Sequence, residues 1–190
     1  MAANLKLLVP ELRQKAPQLI ANCLAKGCEL RPNYGLRDPW DQARLWRQSR
    51  AIQEIDKQIA DFEDAGADFL ADCLRSVGPQ QGDHATDAPP GYSWHQWGEA
   101  MDCFWVVDGK AEWSTTKKDT NGVNGYQLYA NEAELLGLTA GGHWPRFKDW
   151  GHVQLRIAAN VGKVFSLVQI DQEMQKRFPK PALPPAGATP

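Results

Sequence analysis

The sequence lacks any apolar run approaching the ~20 residues that span a bilayer, so stable membrane insertion is not expected. It lacks a surplus of positive charge: 21 Lys and Arg face 23 Asp and Glu, for a net charge of −2. No nucleic-acid partner is therefore expected, since a polyphosphate calls for a basic face. It lacks a C-x-x-C pair, which argues against a cysteine-based zinc knuckle. Its cysteines, Cys23, Cys28, Cys73 and Cys103, are expected as buried free thiols. It lacks an internal repeat. The segment from Met1 to Leu8 lacks the charge and long apolar core of a secretory signal, so synthesis in the cytoplasm is expected. What remains is ordinary for one soluble domain: 190 residues, 43% hydrophobic and 23% charged. A single monomeric domain over 1–178 is expected, with a flexible Pro- and Ala-rich tail over 179–190.

Periodicity organises the chain. Leu12, Ala16, Leu19, Cys23 and Leu24 recur at helical spacing, with Pro17 a candidate kink and Gly27 a C-terminal cap. A short strand over about 28–31 should follow, ended by Pro32. Asp38-Pro39 pairs an N-cap acid with proline at the first helical position. Two more apolar stripes follow, Ile52 to Phe62 and Phe69 to Val77, with Gly66 between them, and 78–91 reads as loop. Residues 100–107 form a buried strand ending at Asp108-Gly109, followed by a polar loop to Gly125. A helix then carries Tyr126, Tyr129, Ala133 and Leu136, a second short strand covers His152 to Leu155, and Ser166 with Gln169 forms a capping box for a last helix. Strands among helices without a βαβ rhythm predict an α+β domain with a small antiparallel sheet.

The chemistry is concentrated in Ser93-Trp-His95-Gln-Trp-Gly98-Glu-Ala100-Met-Asp102 and Asp149-Trp-Gly-His152-Val-Gln154. His95, Asp102 and His152 offer two imidazoles and one carboxylate, a set that suits zinc and leaves a fourth position open. Gly98 lets the chain bend between the first two. On the strand, Asp102 shares a side with Ala100 and Phe104 while Cys103 points away. His152 and Gln154 share a side of the second strand. His84 and His143 are expected as loop histidines without a metal role. Of 8 tryptophans, Trp94, Trp97, Trp144 and Trp150 lie near the motifs and suit an aromatic groove.

The pattern S-x-H-x-x-G-x-A-x-D followed by D-x-x-H resembles the LAS-type zinc peptidases. These include VanY-like D-alanyl-D-alanine carboxypeptidases and the L-alanyl-D-glutamate endopeptidases of phage endolysins. Tyr34-Gly35-Leu36-Arg37, Gln42, Leu45-Trp46 and Arg50 are similar to the family's arginine-bearing turn and helix, so the resemblance covers roughly 10–157. It implies a hedgehog-like metallopeptidase fold, a Zn2+ cofactor and peptidoglycan stem peptides as substrate. By position it implies His95, Asp102 and His152 as zinc ligands, Asp149 as general base, and Arg37 as the group that polarises the scissile carbonyl. Ser93 and Gln42 match supporting, substrate-binding positions. Two departures stand out. Gly151 replaces a frequent proline, and the helical stretch between Arg50 and Gly78 is longer than in the smallest members.

Rival readings are specific. Glu99 competes with Asp149 as base but reads as a solvated strand-edge charge. Cys103 as nucleophile with His152 as base conflicts with the strand alternation. A non-catalytic zinc module for wall binding or phage structure would need neither Asp149 nor Arg37. Cleavage between L-Ala and D-Glu is expected ahead of D-Ala removal or a D-Ala-D-Ala dipeptidase activity. The grounds are the absence of an export signal and the aromatic surroundings, with action on the wall following release or delivery.

Overall fold

The computed structural model describes residues 3–119 and 122–179; the Pro- and Ala-rich stretch from 180 onward lies outside them. The chain divides into two compact units, Met1–Arg37 with Ser93–Asn160, and Asp38–Tyr92 with Val161–Pro190.

The first unit is a mixed α+β layer. Helix α1 (Pro10–Ala25) and helix α5 (Gly125–Leu135) pack on an antiparallel five-stranded sheet. Its strands are β1 (Glu29–Tyr34), β2 (Ala100–Val107), β3 (Lys110–Glu112), β4 (Thr139–Ala140) and β5 (His152–Gln154), in the order β1-β2-β5-β4 with β3 paired to β2. Alternation along β2 divides its residues between two environments. Met101, Cys103 and Trp105 enter the apolar core with Leu12, Leu19, Tyr129 and Val153, while Asp102 and Phe104 stand on the opposite face.

Two expectations are corrected here. Pro32 does not end β1; the strand continues to Tyr34 with Pro32 opposite Cys103. Strand β1 lies at the edge of the sheet, where a missing N–H costs no ladder bond, and the register shifts between Pro32 and Tyr34, so Asn33 is a bulge residue. Residues 110–112 are not loop. Asp108 and Gly109 both take positive φ, 52° and 75°, the two-residue hairpin turn that joins β2 to β3.

The second unit is helical: α2 (Pro39–Arg47), α3 (Ile52–Asp64), α4 (Asp68–Ser76) and α6 (Leu167–Arg177). Asp38 caps α2 by accepting from the Asp41 amide at 2.7 Å, and Ser166 closes the expected capping box on α6. Gly66, at φ 73°, separates α3 from α4. Both ends of α4 borrow partners from other helices. Asp171 of α6 accepts from the Leu70 amide at 2.9 Å, and Arg47 of α2 donates to the Leu74 carbonyl at 2.7 Å. No helix among the described residues is long and apolar enough to cross a membrane.

Candidate metal centre

The centre is built where β2 meets β5. Asp102 and His152 are direct register partners across these antiparallel strands, and residues so paired point to the same face. His95 arrives from a short 3-10 turn, Trp94–Trp97, closed by Gly98 in the left-handed region at φ 69°. There a Cβ would meet the Leu7 carbonyl oxygen at 3.2 Å, so the bend expected at Gly98 is both present and sterically specific.

Three donor atoms converge. His95 Nε2 lies 3.2 Å from Asp102 Oδ1, His152 Nδ1 lies 3.0 Å from the same oxygen, and the two nitrogens are 3.3 Å apart. Both histidines are buried and Asp102 is half-buried. The outer nitrogen of each ring faces an acceptor. His95 Nδ1 donates to the Gly35 carbonyl at 2.8 Å. His152 Nε2 donates to Gln154 Oε1 at 3.0 Å. The Gln154 amide is held in that sense because its NH2 donates to the carbonyls of Arg156 and Ala158. A neutral imidazole carries one proton, so the two inner nitrogens present lone pairs to each other and to a carboxylate. A proton or a cation must sit among them. Tetrahedral bonds of about 2.0–2.1 Å hold donors about 3.3 Å apart; the observed triangle fits a single small cation.

The surroundings are charged and aromatic. Arg37 is nearly buried; its guanidinium lies 3.9 Å from Asp102 Oδ2 and stacks over the Tyr34 ring at 4.5 Å. Its amide donates to the His95 carbonyl at 3.2 Å, which ties the arginine turn to the turn that bears His95. Burial raises the Asp102 pKa, but the charges and hydrogen bonds of His95 and His152 outweigh it and hold the carboxyl well below its usual range. Burial lowers the His152 pKa, and the hydrogen bond and charge of Asp102 reverse this to a net rise. Asp149 is pushed up, first by burial, with Asp102 adding to the rise and His152 opposing it. It shares a cavity of about 270 Å³ with Asn33, Asp102, Trp113, Lys148 and Trp150. Trp144 tilts over His152 with ring centres 5.2 Å apart.

Other anticipated residues are placed elsewhere. Ser93 caps the 3-10 turn, accepting from the His95 amide at 3.4 Å while Gln96 returns the bond. Gln42 is buried in the second unit and donates to the Ala88 carbonyl at 2.7 Å. His84 and His143 pair with Asp87 and Glu134, at 3.0 and 2.7 Å. Trp94 and Trp97 are buried at 1% and 6% exposure, so they pack the interior and line no groove. Glu99 is not solvated: it is 7% exposed and both its oxygens are held by Arg156. Cys103 faces the core, where burial pushes its thiol up to about 12, too high for a nucleophile at neutral pH. Gln154 and the Gly35 carbonyl were not anticipated as partners of His152 and His95. The one available sign was that Gln154 shares a strand face with His152.

A cluster that could hold a cation, with a further carboxylate and a guanidinium beside it, is the equipment of a hydrolase. Comparison with known proteins places the hydrolase among the peptidoglycan peptidases. The chain belongs to the VanY family, whose model, described as D-alanyl-D-alanine carboxypeptidase, matches residues 5–136. The match carries Arg37, His95 and Asp102 and ends before Asp149 and His152; the β2–β5 pairing sets His152 opposite Asp102, and Asp149 shares a cavity with Asp102. The chain is 26% identical over 150 residues to the peptidoglycan L-alanyl-D-glutamate endopeptidase CwlK of Bacillus subtilis (strain 168), covering 78% of this chain and 73% of that protein. Among solved structures it is similar to the Serratia marcescens L-Ala D-Glu endopeptidase ChiX, at 18% identity and a TM-score of 0.42, over 80% of this chain and 84% of that one.

Proposed function

We propose that the chain is a zinc-dependent endopeptidase that cuts the stem peptide of peptidoglycan between L-Ala and D-Glu. The carrying observation is the triangle of three lone-pair donors, His95 Nε2, Asp102 Oδ1 and His152 Nδ1, with both outer ring nitrogens already committed to carbonyl oxygens. These atoms would hold the ion. Zinc supplies a Lewis acid that polarises a carbonyl and acidifies water at neutral pH.

The protein's own groups supply the rest. Asp149, its pKa raised by burial, takes the proton of the attacking water and returns it to the leaving amine. Arg37, held by Tyr34 and beside Asp102, donates to the carbonyl oxygen as it gains charge. Gln154 and Gly35 keep the imidazoles in one tautomer and orientation. Ser93 supports His95 through its turn, and Gln42 supports the loop that holds Ala88; neither needs to touch substrate. Both units belong to one peptidase domain over 1–178, a reading supported by a family match that runs through each of them.

The bond choice draws on the relationship to CwlK, which spans most of both chains. The family description favours D-Ala removal as the second reading. Digestion of purified peptidoglycan, with products identified by mass spectrometry, decides. New N-terminal D-Glu with a chelator-sensitive rate is expected; release of D-Ala alone from otherwise intact stems rejects the endopeptidase reading.

A further inference from the structure

We propose that Phe104 and Trp113 form a stacking shelf for the amino sugar to which the stem peptide is attached, so that the chain prefers glycan-linked stems to free peptides. This rests on the endopeptidase reading and extends it to the part of the substrate beyond the bond cut.

Phe104 follows Asp102 by two residues on β2 and shares its face, which places it about 6.8 Å along the strand. The Trp113 ring lies against it, with centroids 5.8 Å apart and planes tilted by 35°. Trp113 is 65% exposed, yet it is no isolated surface ring. It follows directly on β3, whose Glu112 pairs with Trp105 of β2, and it lines the same cavity as Asp102 and Asp149. Thr115, Lys148 and Asn33 supply polar groups to that cavity. A flat, exposed ring with hydrogen-bonding groups around it suits a ligand with one apolar face and a polar edge. A pyranose bearing hydroxyl and acetamido groups is such a ligand.

Length selects the sugar. In peptidoglycan the first stem residue, L-Ala, is joined to the amino sugar through a lactyl group. L-Ala and lactyl together span about 7 Å at ~3.3–3.6 Å per unit. That matches the distance from Asp102 to Phe104 along β2. A cut between the terminal D-Ala residues would leave the sugar about 17 Å away by the same measure, out of reach of this shelf.

The test compares two substrates: a disaccharide-tetrapeptide and the same tetrapeptide without its sugars. The wild-type protein is expected to show kcat/KM about ten-fold higher on the glycan-linked form, mostly through KM. Trp113→Ala should bring that ratio close to one, and Trp113→Phe, which keeps a ring, should retain most of it. A wild-type ratio near one overturns the inference while leaving the endopeptidase reading intact. So does an unchanged ratio in Trp113→Ala, or an equal loss on both substrates, which would assign the ring to the peptide. Failure of the wild-type protein to cut either substrate sinks the endopeptidase reading, and the inference with it.

Discussion

Glu99 and Asp149 are both carboxylates within four residues of a cluster histidine, and both border a cavity. Glu99 borders the larger, about 410 Å³, with Val9, Pro10, Leu155 and Arg156. Asp149 borders the smaller, about 270 Å³, together with Asp102. Arg156 grips both oxygens of Glu99 and so neutralises its charge. Asp149 is pushed up by burial, with only partial relief from His152. Cavity size alone would have chosen Glu99. Position chooses Asp149, because both Glu99 oxygens are engaged by Arg156 while Asp149 shares a cavity with Asp102.

Changing the cluster itself should have the largest effect. His95→Ala, Asp102→Ala or His152→Ala is expected to reduce both zinc content and peptidase rate to background; full zinc occupancy in all three variants would remove the centre. Asp149→Asn should lose about 10²–10⁴-fold in kcat while keeping its metal. Glu99→Gln is expected to keep kcat within a few-fold and instead lower the melting temperature by about 2–4 °C, as a buried carboxylate loses its half-exposed arginine partner. The opposite pattern in these two variants would exchange the roles of the carboxylates. Gln154→Leu should weaken zinc about 10–100-fold in chelator competition. His95 offers no matching experiment, because its acceptor is the backbone of Gly35. The smallest effect concerns Asp171, whose pKa burial raises in the folded state. The folded protein then holds that proton longer than the unfolded chain, so this group's contribution declines as pH rises through the raised value. Asp171→Asn should remove that slope, seen as a smaller change in melting temperature between acidic and neutral buffer than the wild-type protein shows.

Much of the centre was legible because it depends on local rules. Strand alternation put Asp102 and Cys103 on opposite faces, and Gly98 marked the bend, since each follows from a few consecutive residues. The helix starts at Asp38-Pro39 and Ser166 were equally local. The pairing of Glu99 with Arg156 spans 57 positions and leaves no trace in either neighbourhood, so a buried partner was taken for a solvated charge. The burial of Trp94 and Trp97 has the same origin: their place in the chain beside His95 says nothing of their depth. Pro32 was misread because the rule that proline ends strands holds for interior strands, and β1 is at an edge. The Asp108-Gly109 hairpin was present as a local signal, but strand β3 after it is only three residues long and polar.

The register of β2 against β5 has a consequence for how the protein can be followed as it folds. Asp102 faces His152, and Met101 faces Val153 in the core. A slip of one residue would turn every side chain of one strand to the other face, sending Asp102 or His152 into apolar packing and a core residue out to water. No partly correct arrangement of these strands can assemble all three donors. Uptake of a coloured or fluorescent zinc substitute would therefore act as a proofreading signal, reporting the fraction of refolding molecules whose strands have found their proper alignment rather than merely collapsed.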